Sequence, residues 1–252
     1  MDYTTNCPSY FGEFEVHNAH GVDADAQYFC ACHPHGTVIF QRTFWRSQQL
    51  AQHLRRDFRM IAASVLFRIP IVREMTLWFG AVDAGRSNCE RMLRAGVNVV
   101  VWPGGLDEAN SVDGLDAVRI RARSGFVRLA VKHGVDVLPI FVFGELDAVR
   151  AVSPLPRALA DYLKRKFRIS TSIFMGRWGT FVPRRVPFHL CIGRPCRVTQ
   201  RSPDHPDYAE EVKRVHAAYV MEIKAIYESY RERFGYGARE LIFVDDGAKK
   251  KA

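Results

Sequence analysis

The chain has 252 residues, 48% of them hydrophobic and 25% charged, with 36 Lys and Arg against 27 Asp and Glu for a net charge of +9. That balance excludes disorder, collagen and coiled coil, and no apolar run approaches the roughly 18 residues of a membrane-spanning helix. The N-terminus lacks a basic region followed by an apolar stretch, so no secretory signal is expected, and the scattered cysteines read as reduced thiols.

In chain order, residues 28–32 (YFCAC) read as a short buried strand. Residues 41–56 are basic, polar and helix-compatible. Strands are expected at 60–63, 97–102, 135–143 and 188–193. A helix over 87–95 would be capped by Ser87, with Glu90 completing a capping box and Gly96 as its stop. A second helix over 124–133 would stop at Gly134. Tyr208, Val212, Val215, Tyr219, Ile223, Ile226 and Tyr230 form one apolar stripe at three- and four-residue steps, a long helix whose stripe reads as packing. Strands separated by helices predict a single α/β domain with a mixed, mostly parallel sheet flanked by helices. The boundaries drawn are an N-terminal segment 1–24, a domain 25–245 and a basic tail 246–252.

Chemistry concentrates after the strands. His33-Pro34-His35-Gly36 displays two imidazoles at the end of the first strand, on the sheet edge where α/β proteins bind ligands. A histidine near neutral pKa can take a proton from an attacking hydroxyl. Cys30, Cys32, His33 and His35 are also zinc-type donors. Strand alternation sends the two cysteines to one side and the histidines to the other, so no metal is expected there. After the next long strand, Gly104-Gly105 offers bare backbone N–H groups for a phosphate or an oxyanion, with Asp107 or Glu108 near enough to orient a histidine. Arg119, Arg121 and Arg123 alternate along a segment that, if extended, turns all three to one face, suiting phosphates or a solvated edge. No Gly-x-Ser-x-Gly elbow, Walker loop or dinucleotide fingerprint occurs. The aromatic residues do not interleave with the basic ones, so nucleic acid is not an expected partner.

The ordered series His33-Pro34-His35-Gly36, residues 67–74 (FRIPIVRE), Pro103-Gly104-Gly105 with Glu108, residues 121–126 (RARSGF) and residues 139–145 (PIFVFGE) resembles the type-2 diacylglycerol acyltransferase family. The likeness extends over residues 25–245, through Gly176-Arg177-Trp178-Gly179 and the helix bearing His216, Tyr219 and Met221. The resemblance implies transfer of a fatty acyl group from acyl-CoA, a substrate rather than a cofactor, to the hydroxyl of a neutral lipid, first of all diacylglycerol. Monoacylglycerol, a sterol or a long-chain alcohol is the alternative acceptor, and a catalytically silent lipid-binding protein the rival reading. It places the site at His35 as base, His33 as its support and Glu108 as orienter. Gly36, Gly104 and Gly105 are candidate oxyanion donors, and Arg119, Arg121 and Arg123 candidate CoA ligands. It also implies work at the endoplasmic reticulum membrane or lipid droplet. Lys249 and Lys250 stand where a di-lysine retention signal would. Many members carry membrane segments ahead of the motif; here contact is expected to be peripheral, through apolar and basic surface such as residues 155–168. Phosphate-acceptor relatives use His-x4-Asp, but the matching positions here are Val38 and Phe40, which favours a neutral acceptor.

Overall fold

The computed structural model describes residues 10–36, 38–105, 108, 117–152, 155–156, 158–159, 162–163, 166 and 173–244. Its centre is a seven-stranded sheet. The strands are β1 (Phe14–His17), β2 (Tyr28–His33), β3 (Phe58–Ala62), β4 (Ala81–Asp83), β5 (Asn98–Val101), β7 (Asp136–Phe143) and β10 (Phe188–Ile192), in the order β1-β10-β7-β2-β5-β3-β4. β7, β2, β5, β3 and β4 run parallel, β10 is antiparallel to β7, and β1 is parallel to β10. β6 (Ala117–Ile120) pairs with β11 (Glu240–Phe243), and β8 (Arg150–Val152) with β9 (Ile173–Met175), as separate ribbons. β1 lies ahead of the domain start expected at residue 25, yet it is an edge strand of the main sheet.

β2 is buried along its whole length because helices cover both faces, as a central parallel strand requires. Phe29 and Ala31 face one cluster, against α3 (Arg86–Arg94), α4 (Gly125–His133) and α5 (Tyr208–Tyr230). Tyr28, Cys30 and Cys32 face the other, against Phe11, Phe14, Phe44, Trp45 and Leu50. The stripe on α5 buries Val212, Val215, Tyr219, Ile223 and Ile226 on the first cluster.

Two expected helices differ in detail. Residues 41–56 are not one helix: a 3-10 turn, Gln41–Arg46, gives way at Ser47 to the single turn α1 (Gln48–Ala51). Ser47 is extended and its side chain accepts from the Leu50 N–H, so it starts a new helix instead of continuing the old one. α3 is capped at Gly85, not Ser87, and the Glu90 carboxylate pairs with the side chains of Arg86, Arg94 and Lys132 instead of closing a capping box. α4 ends at left-handed Gly134 as expected and starts one residue later than expected, with Ser124 as its N-cap. Between β3 and β4 lies α2 (Val72–Trp78), which begins inside the RIPIVRE segment, takes up its last three residues and had no periodic sequence signal of its own. No helix among the described residues is long and apolar enough to cross a membrane.

Candidate active site

Three neighbouring parallel strands end at one edge of the sheet. β2 delivers His33-Pro34-His35-Gly36, β5 leads into Gly104, Gly105 and Glu108, and β7 leads into Gly144-Glu145. His33 is the last residue of β2 and keeps the alternation of Phe29 and Ala31, so its ring points into the α5 side. It is fully buried. Its Nδ1 lies 3.1 Å from each carboxylate oxygen of Glu108, and its Nε2 pairs with the Tyr219 hydroxyl. The carboxylate accepts the Nδ1 proton, which leaves Nε2 to accept from the phenol. Burial pushes the Tyr219 phenol well above its ordinary pKa, so it stays a donor.

The Pro34 turn carries the chain off the sheet, and the His35 side chain remains partly accessible. Its backbone N–H donates to Glu108 Oε1 at 2.8 Å, and its Nδ1 lies 2.7 Å from the Gly36 carbonyl oxygen. A carbonyl only accepts, so Nδ1 carries the proton and Nε2 holds the lone pair. That Nε2 has no partner among the described residues. Burial pushes the His35 imidazole below its ordinary pKa and favours the neutral ring. Glu108 therefore orients the ring of His33 and the backbone of His35, whereas the tautomer of His35 is set by Gly36.

A second buried carboxyl holds the loop from the other side. Glu145 accepts from the backbone N–H of Phe40 at 2.7 Å and of Gln41 at 2.8 Å, and Gln41 Nε2 donates to the Pro34 carbonyl at 2.7 Å. Burial pushes the Glu145 carboxyl up to about 8. Gly36 has φ +64 and sits against Glu145, so a side chain there meets both strain and a carboxyl. At Gly104 a Cβ would fall 1.5 Å from Glu108 Oε2; this glycine is the room the carboxylate occupies. Gly105 N–H is already bonded to the Trp102 carbonyl at 3.1 Å and so is engaged within its own turn.

The three arginines do not share a face. β6 ends at Ile120, so only Arg119 lies on the strand, exposed; Arg121 is buried and Arg123 is exposed beyond the strand end. The Arg121 backbone N–H comes to 3.5 Å from Glu108 Oε2. Arg121 also lines a cleft of about 840 Å³ between the 121–124 segment, α4, α5 and β11. Arg128, Lys213 and His216 bring further basic side chains to it, and Tyr208, Val212 and Phe243 line it as well. Neither Arg119 nor Arg123 is part of this lining. Cys30 and Cys32 face the cluster opposite His33, so the four donors of the first strand do not converge. Of the membrane-contact segment 155–168, Leu159 and Tyr162 are exposed, while Arg157, Lys164, Arg165, Phe167 and Arg168 lie outside the described residues, as do Asp107 and the lysines at 249–251.

Tyr219 is the site residue that the sequence pattern hid, because it occupies the apolar stripe. The available signal was chemical: a tyrosine on a buried stripe must find a partner for its hydroxyl.

A histidine pair and a buried carboxylate at the C-terminal edge of a mostly parallel sheet place the molecule among α/β acyltransferase folds. Its structure resembles the crystal structure of the 1-acyl-sn-glycerophosphate acyltransferase PlsC from Thermotoga maritima, at a TM-score of 0.50 and 17% identity, over 89% of this chain and 76% of that one. The sequence matches the diacylglycerol acyltransferase family model over residues 4–244, and the chain belongs to that family. Human 2-acylglycerol O-acyltransferase 3 is 32% identical over 86% of this chain and 68% of its own length. Human diacylglycerol O-acyltransferase 2 is 26% identical, over 94% and 66%. Diacylglycerol O-acyltransferase 2B of Umbelopsis ramanniana is 28% identical, over 84% and 65%. The chain thus spans about two thirds of the length of these relatives.

Proposed function

We propose that this chain transfers a fatty acyl group from acyl-CoA to the hydroxyl of an acylglycerol, with diacylglycerol as the preferred acceptor and triacylglycerol as product. The observation that carries the reading is His35: an imidazole whose Nδ1 is held by Gly36 and whose Nε2 has no partner among the described residues, with burial favouring the neutral ring. Family membership supplies the reaction class.

In this reading His35 Nε2 takes the proton as the acceptor oxygen attacks the thioester carbonyl. The Gly36 and Gly104 amides face the developing oxyanion. As the tetrahedral species collapses, the carbon–sulfur bond breaks and the imidazolium returns its proton to the CoA thiolate. His33 touches neither substrate; clamped between Glu108 and Tyr219, it fixes the strand end from which His35 projects. The phosphates of CoA enter the cleft of Arg121, Arg128 and Lys213, which relieves Arg119 and Arg123 of that role.

A membrane contact falls on α2 and the residues just before it, alongside the segment 155–168, where Leu159 and Tyr162 are also exposed. Ile71 is 75% and Trp78 80% exposed, with Met75 and Leu77 also outward and Arg68 and Arg73 beside them. Such a face suits peripheral insertion at an anionic surface, at the endoplasmic reticulum or a lipid droplet as the family resemblance implies. α2 is tied to the catalytic loop: Arg42, next to Gln41, stacks on Phe79 at 3.9 Å.

The test is transfer from labelled oleoyl-CoA by the purified chain on liposomes bearing diacylglycerol, monoacylglycerol or hexadecanol, with His35→Ala alongside. Labelled triacylglycerol that vanishes in the variant is the expected result. Product from another acceptor alone overturns the acceptor assignment. No product from folded, liposome-bound protein overturns the enzymatic reading in favour of lipid binding.

A further inference from the structure

The far edge of the sheet carries a second cluster of histidines that the acyl-transfer site does not use. β1 and β10 are parallel neighbours, with Glu15 opposite His189 and His17 opposite Cys191. Phe14 on β1 and Phe188 and Leu190 on β10 belong to the cluster that contains Phe44 and Trp45. Alternation therefore turns Glu15, His17 and His189 together toward the C-terminal end of α5. There the His189 ring stacks on Phe234 at 3.9 Å and 5°, and the His17 ring tilts against Tyr230 and Phe234 at 5.6 and 5.1 Å.

The donor atoms converge. His17 Nε2 lies 3.4 Å from His189 Nδ1 and 3.3 Å from Glu15 Oε2, and His189 Nδ1 lies 3.6 Å from the same oxygen. A tetrahedral zinc ion with bonds of roughly 2.0–2.2 Å sets its ligand atoms roughly 3.3–3.6 Å apart. The three separations are thus three edges of such a tetrahedron. No other triad of His, Cys, Asp or Glu among the described residues meets in this way.

We infer that Glu15, His17 and His189 form a divalent-metal site of the zinc class, with two imidazole nitrogens and one carboxylate oxygen as protein ligands and the fourth position facing solvent. This departs from the expectation that the chain binds no metal, which considered only donors around the first strand. Packing of the His189 and His17 rings on Phe234 and Tyr230 holds the two nitrogens facing each other and Glu15. Glu13 adds negative charge near His189, and the Arg233 guanidinium opposes it from the α5 side. The half-exposed Glu15 closes the site from the rim. An ion held there ties the edge strand β1 to β10 and leaves the catalytic edge untouched.

The experiment is metal titration of the full chain after dialysis against a chelator, with Zn²⁺ in competition with a chromophoric chelator and with Co²⁺ followed by its spectrum. The inference expects one equivalent bound, cobalt d–d bands of tetrahedral intensity without a thiolate charge-transfer band, and a rise in Tm with zinc. Glu15→Gln, at the rim and isosteric, should keep the fold by circular dichroism and bind at least about 10-fold more weakly. His17→Gln should abolish the cobalt bands. Absence of stoichiometric binding by the wild-type chain overturns the site. So does a thiolate-type cobalt spectrum, or a folded Glu15→Gln chain that binds zinc as well as the wild type.

Discussion

The strand-end loop at His33–Gly36 and the segment around α2 are held in opposite ways. In the loop the buried polar groups are held by named partners: Glu108 for two histidines, Tyr219 for His33, Glu145 and Gln41 for the backbone. Around α2 the large apolar side chains face outward, and Ile71, a β-branched residue, is held at φ +69. A β-branched residue in that region costs on the order of 1–3 kcal/mol. The first region is fixed by contacts inside the chain. The second combines backbone strain at Ile71 with exposed apolar side chains, which points to a surface outside the chain.

His35→Ala breaks the comparison at its most sensitive point. Turnover should fall about 10²–10⁴-fold while Tm changes much less, because the side chain is partly accessible. Unchanged turnover would remove His35 from the reaction. Next in size is Trp78→Ala: losing one inserted aromatic should lower partition onto anionic liposomes by about 10-fold or more, from roughly 1.5–3 kcal/mol of apolar burial. Transfer to a micellar acceptor should hardly change. Equal liposome binding by the variant would turn attention to the other exposed aromatics, Trp178 and Phe181.

The interior of the first region answers to Tyr219→Phe. The substitution leaves the ring packing on Phe126 and strips the donor from buried His33 Nε2. Unfolding free energy should drop by about 1–3 kcal/mol, with kcat reduced more than the KM for acyl-CoA. A variant as stable as the wild type would mean that His33 finds another partner. Ile71→Gly gives the converse result. Relief of the positive φ, less the added chain entropy of glycine, should leave stability unchanged or raised by about 1 kcal/mol, while liposome binding weakens. A marked loss of stability would show that Ile71 packs within the chain.

The same contrast accounts for which parts of the molecule are legible in the amino-acid sequence. Alternation and helical stripes place the sheet, α4 and α5 because burial writes itself as periodicity. The edge where β2, β5 and β7 end is likewise legible from Gly and Pro after apolar runs. α2 escapes because its apolar residues face outward and follow no buried stripe. Glu108 is legible as an orienter but not as the partner of His33, since one carboxylate serving a side chain and a neighbouring backbone has no sequence pattern. The arginines mislead for a related reason: alternation implies one face only while the strand lasts, and β6 stops at Ile120. The Glu15, His17 and His189 cluster joins residues from opposite ends of the chain, and nothing local announces it.

The smallest effect concerns the protonation of His35. Burial pushes its imidazole down, whereas the Glu108 charge and the Gly36 carbonyl pull it up, with burial the larger. A base works in its neutral form, so kcat/KM should rise with pH through a midpoint below the ordinary histidine value of about 6.5 and be flat above it. The same sign holds for stability: the fold favours the neutral ring, so this group's contribution is present above the unfolded-state pKa and is lost as pH falls below it. Glu108→Gln removes the upward pull while keeping an acceptor for the His35 N–H, and should move the acid limb to still lower pH. A limb that shifts upward in this variant would mean that the titrating group is not His35, and a midpoint above about 6.5 in the wild type would assign the limb to a group outside the buried loop.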